Sequence, residues 1–374
     1  VTAARGVDHD EEGKAMTTLW DTTGTAVVKA LAAERRTGGA VTSGNALTLV
    51  VVVDEKYIAD AERAAAKAAA MNPCRLLIVV RRELDAPKPR LDAEILVGGR
   101  LGPGEAIVMR MYGRLALHAE SVTLPLLAPD APVVTWWHGP PPELIATDAV
   151  GVHSDRRITD CGWLDAGGQG LLQRARDYAP GDTDLGWTRT TQWRSALASS
   201  FDSVTDTPRS AKVLGSPEAP ASLLLAGWLS SRLRIDCPVK PTKRGTGQTG
   251  IGGVEISFGA KAKLKVLRDG GDLVISRTGQ RDQRLSIIER DLGDLLTEEL
   301  RRQGADDTYA EALSAATGVP DLSARHYLRT HIWVDPERPA TKNGSKALHK
   351  QAAAQIDDGP RTARARGRVE EASS

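Results

Sequence analysis

Two apolar runs dominate the hydropathy pattern. Residues 47–53 read LTLVVVV and residues 75–80 read RLLIVV, continuous enough for strands buried on both faces of a sheet. Between them, 58–71 (IADAERAAAKAAAM) has the alanine content and length of a helix, closed by Asn72-Pro73. Strand, helix and buried strand make a βαβ unit, which implies parallel pairing and a right-handed crossover. Upstream, 25–36 has helical spacing, with Thr22 and Thr23 as caps, Val27, Val28 and Leu31 on one side and Gly38-Gly39 as the stop. Downstream, 93–97 and 105–111 are shorter strand candidates, and 115–127 reads as a helix ended by Pro129-Asp130. VVTWW at 133–137 is a further core strand.

The pattern changes near the glycine-rich break at 167–170. Just before it, RRITDC (156–161) adds a strand. After it, helices are expected over 171–178, 191–201 and 219–233, the last strongly apolar with Trp228 inside it. PGDTDLGW (180–187) reads as a turn or cap, and 212–214 as a short strand. The stretches 254–258, 262–267, 273–276 and 285–288 read as an antiparallel run with a hairpin at Asp269-Gly270-Gly271. Helices over 291–303 and 308–316 close the pattern. The expected fold is α/β: an N-terminal domain (17–165) with a mostly parallel sheet and helices, then an α+β domain (166–335) with an antiparallel sheet. Residues 1–16 read as a disordered extension, with Val1 in first place hinting at a non-ATG start ahead of Met16. The polar stretch 336–374, with TARARGR at 362–368, reads as a disordered C-terminal tail.

Composition narrows the function classes. Lys and Arg number 49 against 48 Asp and Glu, so no global field points to nucleic acid or an anionic membrane. No apolar run reaches the length of a membrane span, and the N-terminus has no signal-type apolar region. Cys74, Cys161 and Cys237 are isolated and lack C-x-x-C spacing. That argues against a disulfide framework or structural zinc, and fits buried thiols in a reducing cytoplasm.

Eight tryptophans against two phenylalanines make each tryptophan informative. Trp136 and Trp137 end a strand, and His138, Gly139 and three prolines follow. Neighbours on a strand face opposite ways, so one indole is expected in the sheet–helix layer and the other under a second element or a partner. Ligands of open α/β sheets meet the carboxyl ends of strands. The strand ends near Asp54 and His138 are therefore candidates for a sugar phosphate or nucleotide, in an enzyme or a sensor.

No catalytic constellation accompanies them. Gly245, Gly247 and Gly250 fit G-x-G-x-x-G, but prolines and basic residues precede them and a strand follows. A flexible loop is the expectation there. There is no Gly-Lys-Ser/Thr, no H-E-x-x-H, no His–Cys cluster and no G-x-S-x-G. Lys261, Lys263 and Lys265 share one strand face, as a solvated edge or a cationic patch for an acidic partner. Asp182 and Asp184 suit capping better than paired acid–base chemistry, because i,i+2 carboxylates in a turn rarely converge. Trp187, Trp193 and Arg194 have the residue types of interface anchors, or of side chains packed between domains.

Several blocks in order resemble one family. They include GGAVTSGNALTLVVVV (38–53), NPCRLLIVV (72–80), RLDAEILVGG (90–99), HAESVTLPLLAPDAPVVTWWHG (118–139), RRITDC (156–161), GDTDLGWTRTTQWRSAL (181–197), LAGWLSSRL (225–233) and LTEELRRQGADDTYAEAL (296–313). The chain resembles the OpcA glucose-6-phosphate dehydrogenase assembly family in its actinobacterial form, over most of residues 17–316. The resemblance implies a non-catalytic cytoplasmic protein without metal or cofactor. Such a protein would bind glucose-6-phosphate dehydrogenase, promote its active oligomer and favour entry into the oxidative pentose phosphate pathway. Cyanobacterial relatives are associated with thiol-redox control, but the cysteines here form no matching pair. The family supplies no catalytic residues to carry over. Residue type and motif position make Trp136, Trp137, Arg156, Arg157, Asp182, Asp184, Trp187 and Arg194 the expected contacts with the partner.

Overall fold

The computed structural model describes residues 5–9, 15–37, 46–164, 166–201, 206–259 and 262–327. The two apolar runs become β3 of a first sheet and its neighbour β4. The strands of that sheet are β1 (Arg5–His9), β2 (Ala15–Leu19), β3 (Leu47–Asp54), β4 (Cys74–Arg82), β5 (Arg90–Val97), β6 (Glu105–Tyr112), β7 (Val133–His138), β8 (Arg156–Thr159) and β9 (Asp182–Asp184). Among the described residues their order is β1-β2-β5-β6-β4-β3-β7-β8-β9. The run β6-β4-β3-β7-β8-β9 is parallel throughout. Numbered along the chain, it is the 3-2-1-4-5-6 order of a doubly wound sheet, with its switch point between β3 and β7. The strands β5, β2 and β1 extend it antiparallel on the β6 side.

The helices are α1 (Gly24–Thr37), α2 (Ile58–Met71), α3 (Glu120–Thr123), α4 (Gly167–Asp177), α5 (Leu185–Arg189), α6 (Thr191–Phe201), α7 (Pro220–Leu233), α8 (Leu292–Leu300) and α9 (Asp307–Thr317). Alternation along β3 sends Leu49, Val51 and Val53 to one face of the first sheet. There they meet Ala61, Ala65 and Ala68 of α2 and Leu295 and Leu296 of α8. Val50 and Val52 point the other way, onto Val27 and Leu31 of α1. Both faces are thus covered, as a run of β-branched residues requires. Each such fully buried side chain stabilises the fold by roughly 1.5–3 kcal/mol.

The second sheet holds β10 (Ser210–Gly215), β11 (Val239–Lys240), β12 (Ile251–Ser257), β13 (Lys263–Asp269), β14 (Asp272–Arg277) and β15 (Gln283–Ser286). Its order is β11-β10-β12-β13-β14-β15, antiparallel except for the β10–β11 pair. Val213, Val254, Ile256, Val266 and Leu273 pack with Trp193 of α6 and Leu225 of α7. The other flank of α7 crosses α9 at Gly227, where a Cβ would collide with the carbonyl oxygen of Ala312.

Several expectations change. The segment expected to be disordered up to residue 16 includes β1, which pairs with β2 through Val7↔Thr17. An edge strand exposes unpaired backbone groups, and a polar segment can satisfy them without apolar side chains. The helix expected over 115–127 is broken into a 3₁₀ turn (Gly113–Leu117), α3 and a second 3₁₀ turn (Leu124–Leu126). Pro125 has no N–H to continue the α-helical ladder. The boundary expected at 165/166 is crossed by the first sheet itself, since β9 pairs with β8, and α8 returns to pack on α2. Both sheets lie in one compact unit. The tail at 336–374 and Lys261 lie outside the described residues.

Candidate functional site

The doubled tryptophan sits at the centre of the parallel strands. Trp136 pairs with Val51 and Trp137 with Val52 across β3. Trp136 enters the α2–α8 layer and Trp137 the α1 layer. They are 0% and 2% exposed, so neither presents an indole to a partner. Trp137 is covered by a second element, one of the two alternatives expected for it, and the partner alternative is corrected because this sheet has helices on both faces.

The other expected contacts form an interior polar frame at the β8–β9 edge. The Arg157 guanidinium binds Asp182 and donates to Ser154 O at 2.9 Å and Pro180 O at 2.8 Å. Asp182 also accepts the Ala179 N–H at 2.8 Å. Arg156 reaches across to α8, donating to Glu299 Oε2 at 2.5 Å. Thr188 Oγ1 donates to Glu299 Oε1 at 2.7 Å. Asp184 caps α5 through Gly186 N at 2.8 Å and also accepts from Cys161 N at 2.8 Å and Thr159 Oγ1 at 2.9 Å. Burial pushes the Asp182 and Asp184 carboxyls above their usual range, against the pull of these donors. Trp187 donates Nε1–H to Asp306 at 2.9 Å, and the Arg194 guanidinium stacks 3.6 Å above its ring. Burial lowers the Arg194 pKa to about 10. Seven of these eight side chains are buried and Arg194 is half-buried. Apart from Trp136 and Trp137, which fill the two helix layers, they are corrected from surface anchors to a frame that ties β8 and β9 to α5 and α8. Asp184 is a helix cap, as the turn-like spacing suggested, while Asp182 is instead the buried ion-pair partner of Arg157.

A cleft of about 930 Å³ opens at the carboxyl edge of the parallel strands. His138 at the end of β7, Asp160 after β8 and Gly186 after β9 line it. Arg63 and Lys67 of α2 and the first turns of α7 and α8 complete the wall, together with Gly247–Thr249 and Gly250. His138 is 3% exposed, and neither ring nitrogen has a hydrogen-bond partner. Its ring packs against Trp136 at 4.9 Å and Trp163 at 5.1 Å between centroids. Burial lowers its basicity, so the imidazole is neutral at pH 7. Asp54, the other expected strand-end residue, is not on the cleft. It is paired with Arg81 at 2.9 Å. The glycine triplet expected to be a flexible loop includes a 3₁₀ turn, with Gly247 at φ 54° and Gly250 at φ 73°. A strand follows it, so it is no dinucleotide turn.

Sequence reasoning missed Glu299, Asp306 and the Asp160–Arg189 pair, which meet at 2.7 Å. Asp160 was visible inside RRITDC, but its partner lies in another motif. Among the described residues no group of His, Cys, Asp and Glu could hold a metal ion, and no helix is long and apolar enough to cross a membrane.

Fold and site together define a doubly wound α/β protein with an appended antiparallel sheet and a polar cleft at its strand ends. Residues 65–176 match the glucose-6-phosphate dehydrogenase subunit N-terminal domain of the OpcA assembly type, and residues 180–313 match the corresponding C-terminal domain. These matches cover more than half of the 374 residues, and the chain belongs to the OpcA glucose-6-phosphate dehydrogenase assembly family. No curated protein sequence matches it. A biliverdin reductase from Synechocystis sp. PCC 6803, solved with biliverdin and NADP+, is similar at a TM-score of 0.32 and 12% identity. That likeness covers 73% of this chain and 98% of the reductase, and is too weak to carry an argument.

Proposed function

We propose that the chain is a non-catalytic, cytoplasmic assembly factor that binds glucose-6-phosphate dehydrogenase and favours its active oligomer. The observation that supports this reading is the pair of consecutive family matches, each described as a dehydrogenase subunit domain. A binder of this kind shifts an oligomer equilibrium only by its differential affinity for the active assembly. A tenfold preference supplies about 1.4 kcal/mol, enough to move a balanced equilibrium to roughly nine parts in ten active.

Titrating the dehydrogenase with the purified chain tests the proposal. The expected result is a saturable rise in rate or fall in KM. An unchanged rate at every chain concentration, with no complex formed, overturns it.

A further inference from the structure

Two parts of the lining of the cleft at the carboxyl edge of the first sheet are unlike. One is His138, buried, with Nδ1 and Nε2 both unpartnered. A neutral imidazole presents one donor and one acceptor. Its neighbours Trp136, Trp163 and Tyr57 meet it as rings, at 4.9, 5.1 and 6.1 Å between centroids, and supply neither need. A hydroxyl-bearing group, from a ligand or water, both donates and accepts and so meets both needs.

The other is the start of α7, a helix of 14 residues. Its N-cap is Ala219, which contributes no side-chain hydrogen bond, and proline occupies the first helical turn. The Ala221 amide, on the cleft wall, therefore begins the helix without a capping oxygen, and the helix dipole adds a positive potential there. Gly250 lets the 3₁₀ turn close on this helix start, since a Cβ there would collide with the Ala219 methyl. An uncapped helix start beside a glycine turn suits a phosphate.

The charged side chains of the lining are matched. Arg63 pairs with Asp60, Lys67 with Asp291 at 2.8 Å and Arg189 with Asp160 at 2.7 Å. Arg290 pairs with Glu298 outside the lining, while Glu218 adds one exposed carboxylate to it. Four cations thus face four carboxylates, a lining that offers donors and acceptors side by side rather than a net field. Trp163, 36% exposed, adds an aromatic face. A dinucleotide is disfavoured, because the turn after β3 reads DEKYI without glycine and the Tyr57 ring packs over Gly139.

We infer that this cleft binds a phosphorylated polyol of sugar size, its phosphate on the α7 start and the Gly247–Gly250 turn, its hydroxyls on His138 and the paired side chains. The site needs no dehydrogenase, so its test is independent of the assembly reading. Calorimetric titration of the full chain uses glucose 6-phosphate, ribose 5-phosphate and glycerol 3-phosphate as probes, with glucose and inorganic phosphate as comparisons. At least one phosphorylated polyol binds saturably, one per chain, and more tightly than glucose or phosphate. Ala219→Asp caps α7 with its own carboxylate, so the melting temperature holds or rises while affinity falls by about thirtyfold. His138→Phe weakens the same probe by about tenfold. The inference is overturned if no phosphorylated polyol binds at millimolar concentration. It is equally overturned if phosphate alone binds as tightly, or if affinity is the same in both variants as in the parent chain.

Discussion

Arg156→Met is the substitution that probes the interior frame most directly. The Arg156 guanidinium meets Glu299 Oε2 at 2.5 Å, with the two side chains 4% and 0% exposed. It also donates to Gly304 O at 2.8 Å. Methionine keeps most of the stem volume and removes the charge, so Glu299 loses its main partner inside the protein. Breaking a buried pair in this way costs about 3–5 kcal/mol. Glu299 keeps the Thr188 hydroxyl at 2.7 Å and a distant Arg302 guanidinium at 3.9 Å, which places the expected loss near the lower bound, about 3 kcal/mol. Removing both charges is milder, because glutamine at 299 still accepts from Thr188. Arg156→Met with Glu299→Gln should cost about 1–2 kcal/mol, less than Arg156→Met alone. For a cooperative unit of this size, about 3 kcal/mol corresponds to a fall of roughly 4–6 °C in melting temperature. Urea denaturation followed by circular dichroism at pH 7 measures both variants and Glu299→Gln in one thermodynamic cycle. A loss under about 1 kcal/mol for Arg156→Met, or a double variant as unstable as the sum of the singles, refutes the frame.

Other expectations follow from the same geometry. Asp177 accepts the Ile145 and Ala146 amides from a buried position, and burial, with the Asp182 charge, raises its pKa to about 7. Its contribution to stability is complete below the unfolded value near 3.8 and is lost as pH rises through about 7. Asp177→Asn should therefore gain on the parent between pH 4 and 8, by a few kcal/mol at most, in denaturation midpoints measured across that range; a constant difference contradicts this. Burial raises the Cys74 and Cys237 thiols to about 12 and pushes Cys161 up as well. Mass spectrometry should find all three unmodified by iodoacetamide at pH 8 in the native chain and alkylated in urea, and rapid native labelling contradicts their burial. Trp187→Phe loses the Asp306 hydrogen bond and weakens the Arg194 stacking. It should destabilise the chain by about 1–3 kcal/mol in the same urea assay, and a neutral result would place Trp187 outside the frame.

How far the fold was legible depended on what buried each segment. β3 and β4 were readable because sheet burial on both faces leaves unbroken apolar runs. The alanines of α2 were readable as a helix for the same local reason. β9 was not, because its DTD residues are buried by Arg157, Gly186 and Cys161 rather than by hydrophobic contact. Polar burial of that kind leaves no alternation in the sequence. α8 read as a closing helix of a second domain, yet its partner α2 lies more than two hundred residues earlier, and such non-local packing has no periodic signature. Strand alternation correctly set Trp136 and Trp137 on opposite faces; that both faces are covered follows only from tertiary packing. The cleft draws on seven separate chain segments, so only His138 and the glycine triplet were visible as candidates. The triplet's fit to a dinucleotide fingerprint failed on the following strand, and its actual place against α7 depends on Gly250 and Ala219 meeting in space.

Light scattering coupled to size-exclusion chromatography tests the assembly reading most directly. Glucose-6-phosphate dehydrogenase is run alone and with an equimolar amount of this chain, and the activity of each fraction is assayed. The account predicts co-elution at a mass above that of either protein, with the dehydrogenase in a larger oligomer and its specific activity raised. Separate elution with unchanged dehydrogenase mass and activity would contradict it.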